Sequence, residues 1–178
     1  MNMKKISMFF AAGLSLFSTL SFAAAPLVTF VCTGNTGRSP MAEALASHLI
    51  QAEHLNIHVQ SRGVKVNPQE TQPEAGTVAV LKERGIDVSA HRAKQLTADD
   101  IKDSQVVLTM TAAHKEKILA EYPQARDHVF TLTEYAQGQH ADLPDPYGKP
   151  RQAYEQLESK MDVLIPEALA KVAKNHGG

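Results

Sequence analysis

The chain has 178 residues, 18 basic and 19 acidic side chains, a formal net charge of −1 and a single cysteine. So even a balance leaves no electrostatic footprint for nucleic acid or for an anionic lipid surface. One cysteine also excludes an intrachain disulfide framework.

At the N-terminus, Lys4 and Lys5 precede an apolar run from Ile6 to Phe22, and the small residues Ala23, Ala24 and Ala25 follow. That is the three-part pattern of a secretory signal peptide. Residues 1–25 are therefore expected to be a leader and residues 26–178 one globular domain. Cleavage after Ala23 or Ala24 fits best, because Pro26 would be an awkward first residue. A retained anchor fits less well, since Ser7, Ser15, Ser18, Thr19 and Ser21 interrupt the run. Such a leader opens the secretory route, with the periplasm as the expected destination. What remains has no second apolar span, no low-complexity tract and no internal repeat. It is long enough to bury roughly 70% of the surface its unfolded chain exposes.

Beyond the leader, "LVTFVC" (27–32) is a continuous apolar run that ends in a glycine-containing turn, the signature of a buried parallel strand. Met41, Ala44, Leu45, His48 and Leu49 then recur at helical spacing, with Ser39 and Pro40 as start signals. "HVQSRGV" (58–64) reads as a second strand, and 73–85 as a helix stopped by Gly85. "TADD" (97–100) has capping-box spacing and starts a short helix before the strand "QVVLTM" (105–110). Thr111 opens a helix ending near Tyr122 and Pro123, and "HVFTL" (128–132) is the next strand. Tyr154, Leu157, Met161, Leu164, Ala168, Leu169 and Val172 mark one face of a long C-terminal helix, in which Pro166 predicts a kink or a break. Strands alternating with helices imply a parallel sheet covered on both faces. Ligands of such sheets bind beyond the carboxyl ends of the strands, where Cys32 falls.

The stretch "VCTGNTGRSP" (31–40) is thus a strand-to-helix turn with chemistry in it. Gly34 and Gly37 let the chain curl so that successive backbone N–H groups point inward as an anion nest. The following helix adds its positive end, and Arg38 offers a planar fork for two phosphate oxygens. A cysteine inside that ring is favoured as thiolate, and Ser39 is placed to donate a hydrogen bond to its sulfur. A thiolate beneath a cradled phosphate suits in-line attack and a phosphocysteine intermediate. The leaving group then needs a proton. "DLPDPYGKP" (142–150) is by itself a turn rich in Asp, Pro and Gly; beside the cysteine loop, Asp145, stiffened by Pro144 and Pro146, is the candidate general acid. Asp142 lacks the following proline and ranks behind it.

"VCTGNTGRSPMAEA", with "SRGV" (61–64), "SAHRAKQLT" (89–97) and "DPYG" (145–148), resembles the low-molecular-weight protein tyrosine phosphatases over nearly the whole chain after the leader. The resemblance implies an α/β three-layer sandwich with a four-stranded parallel sheet of flavodoxin-like winding, and a phosphatase loop after the first strand. It implies Cys32 as nucleophile, Arg38 as phosphate binder and Asp145 as general acid and later base. Thr33, Gly34, Asn35, Thr36, Gly37 and Ser39 would form the substrate loop, Tyr147 would wall the pocket, and Asn35, Ser61 and His91 would hold the loop in shape. It implies a phosphorylated protein or peptide as substrate, and no metal or organic cofactor. "CTGNTGRSPMAEA" and the segment up to "DPYG" look nearest to the bacterial branch that includes protein arginine phosphatases, in which a threonine occupies the position of Thr36. Phosphotyrosine is the first expectation and phosphoarginine the alternative. Gly37 stands where many members carry a second cysteine, so a protective disulfide with Cys32 is not available.

Two other readings fit less well. An arsenate reductase on this fold would need further cysteines to pass electrons on. A noncatalytic phosphate- or phosphopeptide-binding module would need the nest and Arg38, but neither Cys32 nor Asp145. His54 and His58 are four apart, but the change from helix to strand between them breaks the shared face a metal pair requires.

Overall fold

The structure is a computed structural model and describes residues 24–176. The expected leader, apart from Ala24 and Ala25, lies outside the described residues. Four parallel strands form the sheet: β1 (Leu27–Cys32), β2 (His58–Gly63), β3 (Val106–Thr109) and β4 (Val129–Thr131), in the order β2-β1-β3-β4. Side chains alternate between the faces of a strand, and both faces are covered. Val28, Phe30 and Cys32 of β1 and Val106, Leu108 and Met110 on and just after β3 join the larger core. Val31, Val107 and Val129 join a second cluster with Ile101 and Ile118 on the other face. The three-layer α/β architecture is as expected.

The helices are α1 (Arg38–Glu53), α2 (Ala75–Glu83), α3 (Ala98–Asp103), α4 (Ala112–Glu121), α5 (Leu132–Gln137) and α6 (Arg151–His176). α1 and α6 supply Met41, Leu45, Leu157, Met161 and Leu169 to the larger core. α3 carries the expected capping box, Thr97 with Asp100, and Thr111 caps α4 by accepting from the His114 N–H.

Three details depart from the sequence reading. Helix α1 begins at Arg38, with Gly37 as an N-cap residue and no side-chain cap, so Ser39 and Pro40 lie inside the first turn. Helix α5 was not expected: Leu132 reads as the end of a strand, yet Thr131 and Glu134 form a capping box and Gly138, at φ 69°, closes the helix. Helix α6 runs on through Pro166 without a break. The ring removes one backbone hydrogen bond, but Met161, Leu164 and Ile165 before it and Ala168, Leu169 and Val172 after it are all buried, and that packing holds both halves in line.

Cys32 sits at the carboxyl edge of the sheet. It pairs with Gly63 of β2, while the pairing of β1 with β3 ends one residue earlier, at Val31 and Thr109. Residues 33–37 therefore leave the sheet between two strand ends, and the chain enters α1 immediately beyond.

Candidate active site

The loop is held from beneath by a chain of buried polar groups. Asn35 has φ 59°, a left-handed conformation that asparagine tolerates better than most residues. Both donors of its side chain and its oxygen are engaged: Nδ2 donates to Ser39 Oγ at 2.9 Å and to Ser61 Oγ at 2.8 Å, while Oδ1 accepts from the Lys94 N–H at 2.9 Å. Its carbonyl accepts from His91 Nε2 at 2.8 Å. Ser61 in turn donates to Glu43 Oε2. These bonds join β2, α1 and the 89–97 segment to one turn of backbone, which over-determines a conformation that would otherwise be costly.

At the top of this stack, Cys32 is only 3% exposed. Its sulfur lies 3.0 Å from Ser39 Oγ and accepts from the Asn35 N–H at 3.3 Å. Ser39 has one proton and two acceptors in reach, the sulfur and the Arg62 carbonyl at 3.2 Å. A charged sulfur is the stronger acceptor of the two, so the proton's position follows the charge on Cys32.

Arg38 and Asp145 meet at the edge of the loop. Arg38 Nη2 donates to Asp145 Oδ2 at 2.8 Å, with Arg38 nearly buried and Asp145 half-exposed at 53%. The acid's loop is pinned from several sides: Leu143 is in the core and its N–H donates to the Met110 carbonyl, and Asp145 Oδ1 accepts from the Tyr147 N–H. Asp142 has another task, accepting from the Ala112 N–H at 2.8 Å at the start of α4.

A cleft of about 250 Å³ opens over the loop, floored by Cys32, Thr33, Gly34, Thr36, Gly37 and Arg38 and rimmed by Lys65, Asn67, Glu70, Glu74, Asp145 and Tyr147. The expected residues thus gather in one place, in two layers. Asn35, Ser39 and Ser61 are buried beneath the floor, with His91 beside them, and hold the loop rather than face the cleft. A larger cavity of about 430 Å³ lies behind, between α1 and the Gly85–His91 segment, away from the sulfur.

Two neighbours of the loop have no local signal in the sequence. His114 Nε2 lies 2.8 Å from Thr33 Oγ1, and burial, aided by the Arg38 charge, pushes its pKa down to about 4. It is a neutral partner of the loop at physiological pH. Glu74 accepts from Thr36 Oγ1 at 3.1 Å and from Tyr154 OH at 2.7 Å. Only the fold brings these groups to the loop.

A parallel α/β sheet whose first strand-to-helix turn sets a cysteine and an arginine at the floor of a cleft is the arrangement of a class of phosphate-handling enzymes. Residues 27–177 match the family described as low molecular weight phosphotyrosine protein phosphatase, and the chain belongs to it. A protein-arginine-phosphatase of Bacillus subtilis is 38% identical, aligned over 83% of this chain and 97% of its own. A probable low molecular weight protein-tyrosine-phosphatase EpsP of Ralstonia solanacearum is 34% identical, over 80% of this chain and 96% of its own. Among solved structures, a YwlE mutant from Bacillus subtilis superposes with a TM-score of 0.79 at 36% identity, covering 83% of this chain and 99% of that one. The family and the four-stranded parallel fold are those expected from the motifs. Among the described residues, no helix is long and apolar enough to cross a membrane.

Proposed function

We propose that the protein is a protein phosphatase that hydrolyses phosphotyrosine through a phosphocysteine intermediate. The observation that carries this reading is the cysteine sulfur at the floor of a cleft, with Arg38 and Asp145 paired at its edge. In the first step the Cys32 thiolate attacks phosphorus. The S–P bond forms, the ester P–O bond breaks, and the proton of the Asp145 carboxyl goes to the leaving phenolate oxygen. In the second step water attacks phosphorus and gives a proton to Asp145. The S–P bond then breaks, and inorganic phosphate and the thiolate are released. Ser39, whose proton can turn to the sulfur, stabilises it as it leaves. In the free protein Arg38 Nη2 donates to Asp145 and Nη1 to the Leu143 carbonyl, so phosphoryl oxygens that draw Nη2 away also free the acid. Tyr147, 63% exposed at the rim, offers a face to an aromatic substrate ring.

A second reading, a protein arginine phosphatase, is favoured by Thr36, whose hydroxyl lies at the cleft floor in a hydrogen bond to Glu74. The relatives include protein-arginine-phosphatases of two bacteria. Here the bond broken is P–N, and Asp145 delivers its proton to the guanidine nitrogen. Measuring kcat/KM on matched phosphotyrosine and phosphoarginine peptides decides between the two. A ratio above about tenfold in either direction names the substrate, and failure on both overturns the phosphatase reading.

We also propose export to the periplasm, supported by the charged, apolar and small-residue order of residues 1–25. Mass spectrometry of the periplasmic protein is expected to find a new N-terminus at Ala24 or Ala25. An intact Met1 on cell-associated protein would refute it.

A further inference from the structure

Glu74 has an arrangement that the phosphocysteine chemistry does not call for. It is the N-cap residue of α2, yet its side chain caps nothing in its own helix. The carboxylate turns instead to the phosphate loop, where it is gripped by Thr36 and Tyr154. The backbone fixes the same contact: the Glu74 N–H donates to the Thr36 carbonyl at 2.8 Å, and Thr77 Oγ1 donates to the Gly37 carbonyl. The first turn of α2 is therefore clamped onto residues 36 and 37.

Room for this carboxylate comes from two missing side chains. A Cβ on Gly37 would stand 2.6 Å from the Glu74 carboxyl carbon, and a Cβ on Gly76 would stand 2.6 Å from Cζ of Tyr154. Any other residue at either place would push out the carboxylate or the phenol that holds it. Tyr154 is buried, and burial together with the Glu74 charge holds its phenol well above the ordinary range, so it remains a donor.

A fixed negative charge against a loop that must attract a phosphoryl dianion weakens that attraction. Of the other charged groups of that rim, Lys65 and Glu70 are exposed and screened by solvent, and Asp145 is paired with Arg38. The cost is offset when the substrate carries a positive charge directly beside its phosphorus. A phosphorylated guanidinium does so, since the charge is spread over the nitrogen bonded to phosphorus and its neighbours. A phosphorylated phenol has a neutral ring there. We infer that Glu74, held by Thr36 and Tyr154, is a specificity-determining residue that favours a phosphoryl group borne on a cationic nitrogen over one borne on a neutral ring. The inference rests on the phosphoarginine reading and gives it a residue outside the loop.

The test compares the wild type with Glu74→Gln, which keeps the shape and removes the charge; its one amide oxygen can still accept from one of the two hydroxyls, while its NH2 can only donate to the other. The readouts are kcat/KM on phosphoarginine and phosphotyrosine peptides, and the inhibition constants of the same two phosphoamino acids against p-nitrophenyl phosphate hydrolysis. E74Q is expected to weaken phosphoarginine at least about tenfold, the scale of one hydrogen bond to a charged group, while phosphotyrosine is unchanged or improves. Gly37→Ala, which displaces the carboxylate and leaves its charge in the chain, is expected to move the phosphoarginine-to-phosphotyrosine ratio the same way. An unchanged ratio of inhibition constants in E74Q overturns the assignment of Glu74, and so does an equal loss on both ligands. Wild-type turnover of phosphotyrosine alone overturns the phosphoarginine reading instead. The inhibition constants still report on Glu74 in that case, because they read binding without turnover.

Discussion

Replacing Cys32 with serine is expected to lower turnover of any phosphoryl substrate by at least ~10⁴-fold, the scale on which removing a nucleophile acts in covalent catalysis. A hydroxyl is smaller than a thiol and fits this position without a clash, and the sulfur's neighbours, Ser39 Oγ and the Asn35 N–H, are groups that a hydroxyl can also bond. What serine lacks is an ionised form near neutral pH. Because Arg38 and the backbone of residues 33–37 are untouched, titration of the variant with inorganic phosphate or tungstate should give a dissociation constant within about tenfold of the wild type. Loss of turnover with retained oxyanion binding is the signature of a nucleophile. Residual turnover within a hundredfold of the wild type would remove Cys32 from that role, and loss of both would make it a structural residue of the loop.

The parts legible in the sequence are those whose cause is local. The apolar run of β1, the glycines after it and the helical spacing after Pro40 each act within a few residues, and together they placed the loop. Strand order has no local cause. Periodicity requires a parallel sheet covered on both sides, and the resemblance implied a flavodoxin-like winding; the order β2-β1-β3-β4 itself is read from the structure. Where local rules misled, a tertiary contact had taken over the residue. Ser39 looks like a helix start, but its hydroxyl is engaged with Cys32, Asn35 and Arg62 rather than with a helix end. Pro166 looks like a break, but the buried residues on either side of it hold α6 continuous. α5 shows the opposite failure: "TLTE" is a capping box in plain sight, hidden because Leu132 also completes a strand pattern.

The cleft residues divide in the same way. Cys32, Arg38 and Asp145 belong to short motifs, whereas Glu74 and His114 reach the loop across 38 and 81 residues and carry no motif of their own. Gly37 was legible as a position and misleading as an explanation. Read alone, it is a missing cysteine, which leaves the nucleophile free of an internal disulfide. In the folded protein it is also the space occupied by the Glu74 carboxylate, so a cysteine there would alter the charge beside the loop as well as its redox chemistry.

Asp145→Asn is the second large effect expected, and its size should depend on the leaving group. A phenol of ordinary acidity leaves poorly without a proton, so turnover of phosphotyrosine should fall by about 10²–10⁴-fold. Dinitrophenyl phosphate, whose leaving group departs as the anion, should lose far less. The pairing with Arg38 makes a further demand on the interpretation. Asp145 Oδ2 holds Arg38 Nη2 at 2.8 Å in the free protein, so removing its charge releases the guanidinium for phosphate. Oxyanion binding by D145N should therefore be equal to the wild type or tighter. If Asp145 instead served only to orient Arg38, the variant would bind oxyanions more weakly and lose activity evenly across leaving groups. The two roles thus predict opposite changes in binding and different dependences on the leaving group, and one titration with one substrate series separates them.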